Sequence, residues 1–459
     1  MSNENVLLID NGAYKIKYGM AGETSVPKSC YNSIIKSKTP YGEIYCIGNQ
    51  IENPKILQST TNAYIKRPKE FGMLTSWEIQ SEIWDYCFYN PDEMGFDLNN
   101  YIEHKKDGDV RCPHLVLSET MLHMPELSKN TDEVVFEEYA FDSLYKSPSA
   151  GFIPFNRKHI KKTQFLLDSN DNIIKNDEKD FQNDADVSYN KFQLVIDSGF
   201  DCTYVIPVIN GCIYYDAVRK SNFGGKFFTG FLKNLISYRH IDLSQETLVV
   251  NKIKEQCMYA APDSFIKHLN NAKYNVVKEF VLPSEEVRIE NKSLDDRIDS
   301  NMGYLLKQDE NLPNGRVSLK LNDELFTVPE SILSPDKVQF DSSLKMSSHG
   351  LIELIQQSLN LCPDMIKPLL VSNIVLIGGN FNIPNMKNRI LKELQLNMPT
   401  EWKVRISCDE KKSDLFTYDS MNEFAKTDEY LQTRVTREEY FEHGLDWSNK
   451  KRFGYQAFL

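Results

Sequence analysis

The sequence lacks the features that mark membrane and secreted proteins. No apolar run approaches the ~18–20 residues that a membrane helix needs, because the best candidate, Leu369 to Ile377, is interrupted by Ser372 and Asn373. The first residues contain neither a basic stretch nor a long apolar stretch, so no secretory signal is visible. We therefore expect neither a membrane protein nor a secreted one.

Cysteine and histidine are present but form no pattern. The nine cysteines are odd in number and include no Cys-x-x-Cys pair, and the eight histidines form no zinc-binding motif. A metal ion held by protein side chains alone is therefore not expected. Without a secretory signal, we expect the cysteines to be reduced thiols, most of them buried as small hydrophobic residues.

An excess of basic charge is also missing. The chain has 53 lysines and arginines against 65 aspartates and glutamates, which gives a net charge of −12. This balance argues against a protein that binds nucleic acid over its whole surface, so any DNA contact would be a local patch. The 459 residues, 41% of them hydrophobic, are typical of a soluble globular protein with several domains.

Two apolar runs end in the same kind of turn. Val6 to Ile9 leads into Asp10-Asn11-Gly12, and Phe192 to Ile196 leads into Asp197-Ser198-Gly199. After each turn the chain resumes as an alternating stretch typical of a returning strand, because glycine permits the tight reversal. The match between the two hairpins is an internal repeat, which predicts two related lobes.

Two such hairpins that face each other can clamp a polyphosphate. The glycines let main-chain N–H groups approach phosphate oxygens, and each aspartate can hold the hydration shell of Mg²⁺. Lys17, on the returning strand of the first hairpin, would add a positive charge, and Gly378-Gly379 after a third apolar run would leave room for a nucleoside. The alternative is that all three are ordinary tight turns that serve only the fold.

In these contexts, the two hairpins resemble the phosphate loops of the actin superfamily, and similarity to actins continues in order over nearly the whole chain. The further matching stretches are Lys66 to Phe88, Ser118 to Tyr139, Lys254 to Tyr259, Phe326 to Glu330, which resembles a strand and turn, and Val435 to Gly444. The resemblance implies an α/β actin-like fold of two lobes. Each lobe would contain a mixed β-sheet flanked by helices, with a nucleotide cleft between the lobes.

The resemblance also implies boundaries and a ligand. Subdomain 1 would take 1–30, 67–146 and 411–459, subdomain 2 would take 31–66, subdomain 3 would take 147–222 and 346–410, and subdomain 4 would take 223–345. Polar insertions at about 168–190 and 285–315 are expected to be surface loops. Mg-ATP or Mg-ADP would be a structural ligand, held by Asp10, Asn11, Gly12, Lys17, Asp197, Ser198, Gly199, Lys254, Glu255, Gly378 and Gly379.

Several departures from actin indicate that ATP is not hydrolysed. Actins carry a water-positioning Gln where this chain, aligned without gaps from Tyr145, has Ser149, and a further acidic residue where it has Phe200. Since losing such a positioning group costs orders of magnitude in rate, we expect negligible hydrolysis and no catalytic residues. The short segment from Thr39 to Tyr64 argues against a filament.

The adenine side of the expected nucleotide site also departs from actin. Asn382 and Ile383 replace the usual Met-Tyr pair after the third turn, and Tyr418-Asp419-Ser420 stands where a Gly-Gly pair is common. The residues that would surround the base are therefore weakened, whereas the phosphate loops are kept. Nucleotide binding and an empty relic cleft both remain open.

Other stretches are most similar to the sixth class of actin-related proteins. They are Ile236 to Arg239, Lys252 to Glu255, Ile377 to Pro384 and Val435 to Gly444. This class implies a subunit, nuclear and also cytoplasmic, of the SWR-type chromatin remodeller that exchanges canonical histone dimers for the Z variant. A zinc-finger subunit and a Swi2-type motor ATPase would be its partners, and it would meet the nucleosome through the complex.

Two alternatives and one surface feature complete the predictions. An active ATP-binding actin-like protein or phosphotransferase is supported by Asp10 and Asp197 and opposed by Ser149 and Phe200. A cytoskeletal polymer is opposed by the short segment after Thr39.

One basic cluster could contact DNA phosphates, act as a nuclear localisation signal, or simply be a solvated loop. Its four permanent cations are Arg157, Lys158, Lys161 and Lys162.

Overall fold

Each Asp-x-Gly hairpin lies at the centre of its own mixed β-sheet in the computed structural model. The structure describes residues 5–23, 26–39, 42–52, 64–104, 110–156, 160, 163–168, 172–175, 191–271, 276–283, 303–307, 310–312, 315–338, 349–409 and 412–448. The basic cluster of Arg157, Lys158, Lys161 and Lys162 lies outside these residues, as do most of the two polar insertions. What the sequence analysis predicts for these residues remains a prediction.

The first sheet is built around the buried strand Val6–Asn11. This strand pairs in parallel with His114–Glu119 on one side and antiparallel with Lys15–Met20 on the other. All six of its residues are buried, as expected for a central strand covered on both faces. The spatial order of the six strands is Val435–Thr436, Ser143–Pro148, His114–Glu119, Val6–Asn11, Lys15–Met20 and Lys28–Tyr31.

The second sheet repeats this arrangement around Phe192–Ser198. That strand pairs in parallel with Ile374–Ile377 and antiparallel with Thr203–Ile209, so both aspartates follow the same local topology and the predicted internal repeat is confirmed. The sheet has eight strands: Ile173–Lys175, Gln164–Leu167, Ile406–Ser407, Ile374–Ile377, Phe192–Ser198, Thr203–Ile209 and Cys212–Ile213 in that order, with Arg219–Ser221 also paired to Thr203–Ile209.

Helices cover the faces of both sheets. Around the first sheet they are Trp77–Phe88, Pro91–Met94, Pro125–Glu133 with a π-helical extension Val134–Glu138, Ser149–Phe152, Phe416–Phe424, Asp428–Thr433, Arg437–His443 and Leu445–Trp447. Around the second they are Gly225–Arg239, Thr247–Cys257, Phe265–Asn270, Glu324–Leu333, Leu351–Leu361, Lys367–Val371 and Met386–Asn397. Short 3₁₀ turns are Gly48–Glu52, Leu98–Tyr101, Ile153–Phe155, Tyr215–Ala217, Pro335–Lys337, Asp364–Ile366 and Gly379–Asn382.

Smaller sheets extend each lobe. Two have three strands: Gly42–Ile47, Ile34–Thr39 and Tyr64–Lys66; and Tyr304–Leu305, Lys278–Val281 and Ser318–Leu321. Three have two strands: Lys69–Glu70 with Met73–Leu74, Tyr89–Asn90 with Phe96–Asp97, and Glu103–His104 with Val110–Arg111. The described pieces of the polar insertions include strands at 173–175 and 304–305, so the expectation of loops is wrong for these pieces.

The cysteine prediction is confirmed, and the helix Trp77–Phe88 begins directly after Ser76. All nine cysteines are free thiols and seven are buried. The Ser76 hydroxyl accepts a hydrogen bond from the backbone N–H of Ile79, which satisfies one of the donors left open at a helix start. Among the described residues, no helix is both long enough and apolar enough to cross a membrane.

The expected strand and turn at Phe326–Glu330 is wrong, because these residues lie within the helix Glu324–Leu333. Its interior Pro329 has no N–H to donate, which leaves the carbonyl of Leu325 without its usual helical partner. The backbone N–H of Tyr259 donates to that carbonyl at 3.3 Å. A contact from another segment therefore satisfies the group that proline would otherwise leave unpaired.

A buried ion pair joins two helices of the second lobe. Arg389 donates to both carboxylate oxygens of Glu330 at 3.1 and 3.2 Å, and both side chains are 1% exposed. Arg389 also donates to the carbonyl of Ala261 and to Glu393. Removing one partner of such a pair leaves a buried charge poorly compensated, which is costly even where the pair itself adds little stability.

We predict that Glu330→Ala lowers the free energy of unfolding by about 3–5 kcal/mol, because Arg389 stays buried without its bidentate partner. The matched control is Asp263→Ala. Asp263 is the solvent-exposed ion-pair partner of Lys392, which lies on the same helix as Arg389. This variant should lower the free energy of unfolding by only about 0–1 kcal/mol. Urea unfolding of both variants measures the difference. Equal losses of stability in the two variants would contradict the predicted cost of leaving Arg389 buried without Glu330.

Candidate functional site in the cleft between the lobes

Both turns open onto one cavity of about 500 Å³ between the lobes. The cavity collects ten of the eleven residues predicted to hold a nucleotide: Asp10, Asn11, Gly12, Lys17, Asp197, Gly199, Lys254, Glu255, Gly378 and Gly379. Ser198 does not line it, because its buried hydroxyl is hydrogen-bonded to Thr203 and accepts from Asn380. Ser198 therefore supports the second turn from behind.

The register of the first sheet places the partners of Asp10. Ser118 stands opposite Asp10 on the parallel strand and Lys17 on the antiparallel strand. Ser118 donates to Oδ1 of Asp10 at 2.7 Å, and Lys17 Nζ donates to Oδ2 at 3.0 Å. Burial opposes the charge of Lys17, but Asp10 and Asp414 outweigh it and raise the pKa of Lys17. Both oxygens of Asp10 thus have partners from within the protein.

Asp197 of the second turn has weaker compensation. Burial, followed by repulsion from Asp10, raises its pKa to about 7, against the attraction of Lys17 and a hydrogen bond from Ser149. Ser149, at the position of actin's water-positioning Gln, therefore acts on the charge of the aspartate itself. Hydrogen bonding to the ionised form favours that form, so Ser149 stabilises the charge of Asp197.

Close backbone packing joins the Gly378 turn to the second Asp-x-Gly turn. Gly378 has φ +101°, and a Cβ built there would lie 2.3 Å from the carbonyl oxygen of Ser198. Asn380, two residues on, donates to the Ser198 hydroxyl at 3.0 Å and to the Gly199 carbonyl at 2.8 Å. The third turn thus holds the second in place.

The side of the cavity formed by Lys254 and Glu255 is polar and partly charged. Lys254 Nζ donates to the hydroxyl of Thr229 at 3.1 Å and to the carbonyl of Gly225 at 3.3 Å. Burial lowers the pKa of Lys254 to about 8, against the attraction of Glu255. Glu255 accepts a hydrogen bond of 2.7 Å from Asn251. A sugar hydroxyl or a phosphate would find both a donor and an acceptor here.

On the expected adenine side, Asn382 and Ile383 line the cavity, whereas Tyr418 does not. Asn382 donates to Asp414 at 3.0 Å and accepts from the hydroxyl of Ser413 at 2.6 Å, so it organises the wall of the cavity. Tyr418 lies within the helix Phe416–Phe424 and packs in a hydrophobic cluster of the first lobe. Thr417, its neighbour, lines the cavity instead.

An aromatic stack crosses the cleft between the two Asp-x-Gly turns. The rings of Tyr14 and Phe200 are 5.0 Å apart with an interplanar angle of 26°. The guanidinium of Arg67 lies 4.6 Å from the Phe200 ring centroid and 5.3 Å from that of Tyr14, a cation–π geometry. Sequence reasoning missed Tyr14 and Arg67; the signal was a large aromatic residue two positions after the glycine of a phosphate turn.

Lys69 is a second residue that sequence reasoning missed. Its side chain is buried, and Nζ donates to the carbonyl of Asn11 and to the hydroxyl of Thr120. Burial lowers the pKa of Lys69, whereas the carboxylates that surround it act in the opposite direction. These carboxylates are Asp10, Asp201, Glu119 and Asp197.

The residues of the cavity fit a nucleotide better than they fit its divalent cation. The glycine turns, Lys254 and Glu255 offer the donors and acceptors that a nucleotide needs. Mg²⁺ requires oxygen ligands in near-ideal octahedral geometry, but both oxygens of Asp10 are engaged and the ammonium group of Lys69 lies among the same carboxylates. Within the described part of the chain, no group of three or more His, Cys, Asp or Glu side chains is arranged to hold a metal.

Comparison with known proteins identifies the family. The family model described as Actin matches residues 1–453, so the chain belongs to the actin family and the predicted actin-like fold is confirmed. Several relatives carry the name Actin-like protein ARP6, and three of them are among the most similar. They come from Candida glabrata (42% identical over 461 residues), Kluyveromyces lactis (42% over 459 residues) and Saccharomyces cerevisiae (41% over 469 residues), with 99–100% of both chains covered in each case. This chain is therefore an actin-related protein similar to them over its full length.

We predict that Gly378→Ala lowers the free energy of unfolding by about 3–5 kcal/mol, because backbone strain at positive φ adds to a clash with the Ser198 carbonyl. Gly211→Ala is the matched control: its φ is +80°, and a Cβ there meets nothing within 4 Å. That variant should lose only the backbone contribution of about 1–2 kcal/mol. Chemical denaturation distinguishes the two, and an equal cost would show that the close packing is not needed.

Proposed function

We propose that this chain is a non-polymerising, non-hydrolysing scaffold subunit of an SWR-type chromatin remodelling complex, which exchanges canonical histone dimers for the Z-type variant. Two observations support the proposal: the sequence motifs most similar to the sixth class of actin-related proteins, and the full-length similarity to proteins named Actin-like protein ARP6. The subunit would act in the nucleus, contact a zinc-finger subunit and a Swi2-type motor, and reach the nucleosome through them.

The observation that carries the non-hydrolysing role is the pairing of Phe200 with Tyr14. An ATPase of this fold needs a polar group to align water against the terminal phosphate. Phe200 offers none, and its ring is packed against Tyr14 and Arg67. Ser149, the other replaced position, has a much shorter side chain than a Gln and favours the charged form of Asp197. Phe200 cannot orient a water molecule, and Ser149 is too short to take the place of the Gln.

A structural nucleotide is the ligand that we propose for the cavity. ATP or ADP bound between the lobes would stabilise the folded chain by mass action, with the glycine turns and the pair Lys254–Glu255 as its contacts. An active phosphotransferase is the second candidate, favoured by the retained aspartates of both turns. The basic cluster that contains Arg157 remains a proposal for a local DNA contact.

We predict that the purified chain turns over ATP no faster than an Asp197→Asn variant, because that variant removes an acidic group that hydrolysis in this fold requires while leaving the same contaminants in the preparation. The measurement is steady-state phosphate release. Saturable turnover in the wild type that is lost in Asp197→Asn would favour the phosphotransferase instead.

The partner prediction is tested by affinity capture of the tagged full-length chain from nuclear extract, followed by mass spectrometry. We expect stoichiometric recovery of a zinc-finger remodeller subunit and a Swi2-type motor, both absent from an untagged control. Recovery of the chain alone, or as long polymers of itself that sediment, would contradict the scaffold role.

A further inference from the structure

A short hairpin connects the two Asp-x-Gly turns across the cleft. This bridging hairpin, residues Lys69–Leu74, belongs to the first lobe, and its tip at Phe71 and Gly72 reaches the second. The backbone N–H of Gly72 donates to Asp201 at 3.0 Å, and the carbonyl of Phe71 accepts from Lys220 at 2.9 Å. The hairpin therefore has one end at each lobe.

The base of the bridging hairpin places a cation beside the first turn. Lys69, its first residue, directs Nζ to the carbonyl of Asn11, the residue after Asp10, and to the hydroxyl of Thr120. The side chain is buried. Lys69 lines the same cavity as four carboxylates, which are Asp10, Asp197, Asp201 and Glu119. These carboxylates favour the charged form of Lys69, against the burial that lowers its pKa.

Such a group of carboxylates needs a positive charge. Buried carboxylates that face one another raise the free energy of the folded protein. A nearby cation or protonation of a carboxylate lowers that free energy. In a nucleotide-binding pair of Asp-x-Gly turns, a hydrated divalent cation would supply the charge. Here Lys17 already occupies Oδ2 of Asp10, and Lys69 provides a second charge from the bridging hairpin.

We infer that the ammonium group of Lys69 takes the place of the divalent cation between the two turns, so that the lobes are held together without a metal ion. The cationic group is covalently attached to the hairpin that links the turns, so its position does not depend on the Mg²⁺ concentration. The stack of Tyr14 on Phe200, capped by Arg67, closes the cleft beside it. The proposal concerns the cleft alone and stands whether or not the proposed partners are found.

Thermal unfolding of the purified full-length chain tests this. For the wild type, we expect the same midpoint in EDTA and in millimolar MgCl₂ at matched ionic strength, within about 1 °C. Lys69→Met should lower the midpoint in EDTA by about 5 °C or more. Millimolar Mg²⁺ should restore at least half of that loss, because Asp197, Asp201 and the Asn11 carbonyl would then offer oxygen atoms of the kind that hard divalent cations bind, with no ammonium group beside the Asn11 carbonyl.

The matched control is Arg389→Met, which also removes a buried cation from beside carboxylates but lies outside the cavity. It should lose stability without any recovery in Mg²⁺. A folded Lys69→Met that Mg²⁺ does not rescue would overturn the proposal, as would equal recovery of both variants. If Lys69→Met does not fold, the wild type decides: a midpoint that rises by more than about 5 °C in Mg²⁺ would show that a metal ion, not Lys69, completes the site.

Discussion

The arrangement of the cleft depends on how the negative charge at the ends of two central strands is compensated. Asp10 and Asp197 occupy equivalent places in two sheets of the same local topology, and each is carried to the cleft by a strand with a buried core. Burial gives their charge a high free-energy cost. Ser118, Lys17 and Ser149 offset part of this cost. Lys69 from the bridging hairpin offsets a further part.

The cavity that these aspartates share also contains groups suited to bind a ligand. Lys254, Glu255 and the Gly378 turn line it together with both Asp-x-Gly turns. The Phe200 ring lies in the same cavity, with its centroid 5.9 Å from Nζ of Lys254. In the proposed scaffold role, the binding groups are kept in a cleft that lacks actin's water-positioning Gln.

The fold was largely predictable because its main signals are local. Apolar strands that end in Asp-x-Gly predict the centre of both sheets. A serine at the start of an apolar stretch, as at Ser76, favours the beginning of a helix. The contacts that define the cleft are different in kind: Tyr14 meets Phe200 and Gly72 meets Asp201 across more than a hundred residues of chain, so no local pattern encodes them. Phe326–Glu330 was assigned to a strand and turn from its resemblance to an actin segment, whereas these residues form a helix. The carbonyl that Pro329 leaves without a helical partner accepts from the distant N–H of Tyr259, a contact that no local pattern encodes.

The contacts of the bridging hairpin affect how strongly the cleft is coupled to the outer surface. In a protein whose lobes close only around a ligand, binding in the cleft changes every surface that moves with the lobes. The coupling free energy between cleft and surface then depends on the ligand. Here Gly72 and Phe71 already join the lobes through contacts of the polypeptide itself. The proposed nucleotide would therefore act on lobes that the chain already connects, and the proposed partners would meet much the same surface whatever its supply.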